Sequence, residues 1–144
     1  MIQIFVFGVA AVGVLAVGGA YVAATRSIET PAYTVVHTYG DVELRRYPEM
    51  TLAQVTRAGT RRNSIQSGFS PLARYIFAKD RAGEKIAMTA PVVQKPINDK
   101  WKISFILPSG VSAEDASKPL GYLTIVTEPG RLMASIRFSG CLEQ

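Results

Sequence analysis

An amphipathic segment that runs directly into an apolar one lies at the middle of the chain, and it limits the fold more than any other stretch. Ile65, Phe69, Leu72 and Ile76 follow one another at offsets of four, three and four, which is the spacing of one helix face. Residues 86–93 are then almost wholly apolar, and Pro91, which cannot donate to a ladder, stops a strand there. Alternation would put Ile86, Met88 and Ala90 on one face of that strand, with Ala87 and Thr89 on the other. A helix with one apolar face, followed at once by such a strand, is expected to lie on the sheet that the strand joins.

Pro71 falls inside the periodic segment, where it would cost about 3 kcal/mol in a helix interior. Ser70 as N-cap with Pro71 at the first helical position avoids that penalty. The pattern therefore predicts a regular helix over 71–79, a looser turn over 65–69 before it and a loop over 80–84 after it.

The flanks read as strands. Residues 33–39 alternate, with Tyr33, Val35, His37 and Tyr39 on one face; Gly40-Asp41 is a turn, and 42–47 is a second extended piece with charges on both faces. Pro48-Glu49 breaks it, 51–57 resumes as a strand near a sheet edge, and 58–63 is a basic loop. Beyond the centre, 93–100 is a polar connection turning at Asn98-Asp99, and 101–107 alternates with Trp101, Ile103, Phe105 and Leu107 inward. Residues 108–120 form a linker with one helical turn at 113–116 capped by Ser112. Two further strands, 122–127 and 132–138, are joined by Glu128-Pro129-Gly130. This is an α+β order.

The chain opens differently. Residues 1–25 carry no charged side chain, and 2–24 are long enough to cross a bilayer as a helix. Gly8, Gly13, Gly18 and Gly19 would weaken a soluble helix but are tolerated in lipid, and Ala16, Ala20 and Ala24 make a small-residue stripe. Val22-Ala23-Ala24 would serve as a signal-cleavage site, but the basic n-region of a secretory signal is missing, which favours an uncleaved anchor. The expected organisation is an anchor or signal over 1–25, a linker over 26–32 and one domain over 33–144. A domain outside the cytoplasm is expected, tethered by its anchor or exported after cleavage.

Charge and composition narrow the chemistry. The net charge of +5 suits anionic partners, but no Lys/Arg-rich run with interleaved aromatics is present, so nucleic acid is not expected. Cys141 is the sole cysteine and His37 the sole histidine, which excludes zinc sites built from several of either. Nothing around His37 resembles a nucleophile motif. Glu43 or Asp41 beside arginines could serve an enzyme, though such pairs more often make surface ion pairs.

The wording of the central segment is specific. Gly68-Phe69, Leu72-Ala73 and Tyr75-Ile76-Phe77, a polar loop, then Lys85-Ile86-Ala87-Met88-Thr89-Ala90-Pro91-Val92 closely resemble the SOUL haem-binding family. Glu43-Leu44-Arg45-Arg46-Tyr47-Pro48, the stretch 101–105 with Pro108, and Arg137-Phe138-Ser139-Gly140 agree with it, so the resemblance covers 28–140. It implies two βαββ repeats forming a half-open barrel, as in effector-binding domains of regulators. On that pattern the first repeat is complete and the second stops four residues after Gly140. Uncovered sheet and self-association would be expected to follow.

The resemblance also implies a non-catalytic protein whose ligand is haem or another tetrapyrrole. A groove between Phe69, Leu72 and Ile76 of the helix and Met88 would hold the apolar disc. Arg74, with Arg45 and Arg57 behind it, could reach a propionate. His37 is the one imidazole available as an axial ligand, but haem binding in this family need not use a side-chain ligand, and a strand histidine is more often structural. Ordinary core packing is the competing role for Phe69, Leu72, Ile76 and Met88. Ala78-Lys79-Asp80 stands where the family has a glycine-rich turn. Rival functions are a small-ligand effector-binding or protein-interaction module, for which apolar cations would be the ligand, and an enzyme using Glu43 or Asp41.

Overall fold

Two tight turns set the register of the hairpins. Gly40, at φ +57°, and Asp41 close the pair β2 (Thr34–Tyr39) and β3 (Val42–Tyr47), so that Tyr39 faces Val42. Asn98, at φ +53°, and Asp99 close β5 (Val92–Ile97) and β6 (Lys100–Ile106), with Ile97 facing Lys100. In the computed structural model the described residues are 4–7, 28–116, 118, 119 and 121–137. Among them, the remaining elements are β1 (Ile4–Phe7), β4 (Met50–Ala58), α1 (Arg61–Ile76), β7 (Thr124–Glu128) and β8 (Arg131–Arg137).

The strands form two four-stranded sheets, ordered β1-β8-β3-β2 and β5-β6-β4-β7. All pairs are antiparallel except β1 with β8. The chain crosses between the sheets at Pro48-Glu49 and again at Pro129-Gly130, and the two corners touch. A Cβ on Gly130 would lie 3.0 Å from the Tyr47 carbonyl oxygen, so this approach requires glycine. The helix packs on β4 and β6. Between them lies the main core: Ala53 and Val55, Ile103 and Phe105, and the helical Leu72, Tyr75 and Ile76.

Several expectations are corrected. Residues 85–88 have no regular structure, and Thr89 makes one parallel bridge with Glu29. The Ile86 amide donates to the Ile76 carbonyl at 2.7 Å, so this segment is tied to the helix end rather than to a ladder. The strand begins only after the cis Ala90–Pro91 bond and runs through Pro96, tolerated because β5 is a sheet edge. In contrast β4, expected near an edge, lies inside its sheet. Its consecutive Leu52, Ala53, Gln54 and Val55 are all buried, a strand covered on both faces.

The helix starts at Arg61, not at Pro71, with Thr60 as N-cap accepting from the Asn63 amide at 3.3 Å. Pro71 leaves the Ser67 carbonyl without its helical donor. Arg57 Nε reaches that oxygen at 3.5 Å, a long bond but a partner. The single turn near Ser112 is present, with Ser112 Oγ accepting from the Asp115 amide at 3.1 Å. In the expected anchor, Ile4–Phe7 is a strand beside β8, in keeping with its β-branched and aromatic residues. The rest of that segment, and residues 138–144 on which the expected truncation rests, lie outside the described residues. Among the described residues no helix is long and apolar enough to cross a membrane.

Candidate functional site

The periodicity of α1 produces two faces, one residue apart in phase. Ser64, Gly68, Leu72, Tyr75 and Ile76 face the sheet. A Cβ on Gly68 would meet side-chain atoms of Ile103 and Val55 at 3.1 Å, so a small residue lets the helix sit close. Leu72 is 0% and Ile76 1% exposed, so the structure gives both a packing role and no access to a ligand. Phe69, Ala73 and Phe77 form the neighbouring row, four residues apart. Phe69 is 39% and Phe77 41% exposed, with the smaller Ala73 between them. Phe69 and Phe77 are about 12 Å apart along the axis, the two raised ends of an apolar saddle with Ala73 at its middle. Phe69 is held from beneath by an edge-on contact with Phe105 at 5.1 Å. Met88 is half-buried against the same core.

Where the helix stops, the geometry is a Schellman motif. The Ala78 amide donates to the Tyr75 carbonyl at 3.1 Å and the Lys79 amide to that of Arg74 at 2.9 Å. Ala78 takes φ +52°, the left-handed conformation that glycine adopts more easily. The turn therefore forms without glycine and brings Asp80 back to Arg74. Arg74 Nε donates to Asp80 Oδ2 at 2.5 Å, Nη2 donates to Oδ1, and the Tyr122 hydroxyl lies 3.5 Å from Oδ2. The guanidinium's hydrogen bonds hold the Asp80 carboxyl below the usual carboxylate range. Arg74 remains exposed beside the saddle as a paired cation, and a ligand carboxylate would have to share it with Asp80.

His37 is elsewhere. It lies exposed on β2, the edge strand of the other sheet, with its ring 4.2 Å from that of Tyr39. A bulge between Val35 and His37 breaks the expected alternation of that strand. The structure thus leaves Phe69 and Arg74 on the outer surface of α1, packs Met88 against the core, seals Leu72 and Ile76 within it, and puts His37 in the other sheet. No cluster of three or more His, Cys, Asp or Glu suited to a metal occurs among the described residues. Phe77 was missed by the sequence reading. Its signal was the four-residue period from Phe69 through Ala73, one step out of phase with the core row.

A second concave feature lies between the sheets, on the face of β4 and β6 turned away from α1. Leu52 and Ile106 come from that face, and Tyr47 and Met133 oppose them from β3 and β8. Its wall also holds Arg45, whose guanidinium lies 4.1 Å over the Tyr33 ring and 2.7 Å from Glu43. Partial burial disfavours the charge of Arg45. Hydrogen bonds with Tyr47 and Glu43 outweigh that and hold its pKa above the ordinary value.

Compared with known proteins, residues 28–144 match the family described as SOUL heme-binding protein. No curated protein matches the chain.

Proposed function

The chain belongs to the SOUL heme-binding family, and from that membership we propose that it binds haem or another tetrapyrrole without catalysing a reaction. The observation that carries this reading is the family match over residues 28–144. The outer row of α1 supports a place for the ligand. Phe69, Ala73 and Phe77 offer the apolar plate, Met88 extends it, and Arg74 supplies the cation for a carboxylate. On this reading His37 does not ligate the iron, since it sits in the other sheet.

Titrating the full chain with hemin, following the Soret band and Trp101 quenching together, tests the proposal. Saturable one-to-one binding is expected, unchanged by His37→Ala. Replacing Phe69 and Phe77 together by alanine should weaken it by roughly tenfold or more, the loss of two ring contacts. Non-saturating binding, or full affinity in the double variant, would sink the site as drawn.

We also propose that the uncharged segment 2–24 tethers the protein to a membrane, with the domain outside the cytoplasm. Its support is the length and apolar character of the sequence.

A further inference from the structure

The cavity between the sheets carries a separate reading, because its size suits a smaller ligand than a tetrapyrrole. It encloses about 250 Å³, below the roughly 300–1,000 Å³ typical of sites for drug-sized ligands. An apolar void of about 150 Å³ holds a benzene ring. The space therefore fits one aromatic ring with a short arm.

The wall says what the arm carries. Leu52, Ile106 and Met133 give an apolar floor, and Met50 supplies a second thioether of the kind that packs well on ring edges. Among the described residues of the lining, three arginines and a single carboxylate, Glu128, contribute the charged groups, so the balance favours an anion. Glu128 is paired with Arg131 at 2.5 Å. Arg45 is the better placed anchor. Its Nε and Nη2 are both taken by one oxygen of Glu43, at 2.8 and 2.7 Å. Its Nη1 lies 3.4 Å from the Tyr47 hydroxyl, leaving donor capacity on that nitrogen. The Tyr47 hydroxyl has a proton of its own to give. Together they form a two-point carboxylate cradle that Glu43 and the Tyr33 ring hold in place before any ligand arrives.

We propose that this cavity is a binding site for a small aromatic monocarboxylate, separate from the helix surface that takes the tetrapyrrole. The ring lies among Leu52, Met50 and Met133, and the carboxylate meets Arg45 Nη1 and the Tyr47 hydroxyl. The inference does not rest on haem binding, and it reverses the charge of ligand expected for an effector module.

Calorimetric titration of the full chain with 3-phenylpropionate and with its neutral amide tests it. The acid should bind one to one, and the amide should bind roughly tenfold or more weakly, the difference made by a charge-assisted hydrogen bond. Arg45→Met should abolish that preference. Met133→Trp, which fills the void, should abolish acid binding while leaving the hemin titration unchanged. Equal affinity for acid and amide, no saturable acid binding, or displacement of the acid by hemin would each overturn the proposal. If Arg45→Met does not fold, the acid-to-amide ratio on the unaltered chain still decides.

Discussion

Ala78 shows how a single residue can satisfy every hydrogen bond of a motif and still be the wrong residue for it. Both Schellman bonds are made, yet a Cβ occupies a left-handed position, where non-glycine residues lose about 1–2 kcal/mol. Glycine there would remove that penalty and would lose a smaller amount to unfolded-chain entropy. Ala78→Gly is therefore expected to raise stability by roughly 0.5–1 kcal/mol in urea denaturation, with the slope unchanged. A destabilised variant would show that the turn is not held as described. The departure from a glycine-rich turn was legible in the sequence. That the turn would form regardless was not, because the decision belongs to the Lys79–Arg74 and Ala78–Tyr75 hydrogen bonds rather than to the propensity of Ala78.

The helix is the element where local rules and packing disagree most. Capping preference and the proline penalty pointed to a start at Pro71, whereas the helix begins ten residues earlier, at Arg61. Packing overrides the penalty: Gly68 and Leu72 meet β4 and β6 on either side of the proline, and Arg57 takes up the carbonyl it strands. The row of Leu72 and Ile76 was read correctly as one face, but as a ligand groove it proves closed. Leu72→Ala should accordingly cost about 2–5 kcal/mol of stability, as cavity-forming core substitutions do. Hemin affinity measured on the folded fraction should stay within a factor of roughly two to three. An affinity loss without a stability loss would return Leu72 to the groove. The strands show the same division. The extents of β2, β3 and β6 were placed well, but the apolar run at residues 86–90 has no ladder, because apolar content alone does not supply a neighbouring strand.

For the whole molecule, the N-terminal segment poses a choice between two arrangements that exclude each other. Pairing of Ile4–Phe7 with β8 puts residues 4–7 on the same side as the domain that begins near Ile28. A bilayer crossing by segment 2–24 would instead put residues 4–7 inside the membrane. A tethered protein must therefore release this strand from the β8 edge. Carbonate washing of membranes from cells expressing the full chain should leave it in the pellet with residues 1–25 intact. Recovery of the full-length chain in the wash would favour the sheet-paired arrangement and defeat the tether.

By itself the sequence determined the family wording, the α+β order, both two-residue turns and most strand positions, because these depend on neighbours a few residues apart. It could not determine which apolar residues would be sealed and which left open: Leu72 is buried in the core cluster, whereas Phe69, in the neighbouring row of the helix, stays 39% exposed. Nor could it show the cavity. Tyr33, Arg45, Met50 and Met133 converge because two sheets meet at the Pro48 and Gly130 corners. Such convergence is set by long-range pairing and close packing, which no local pattern encodes.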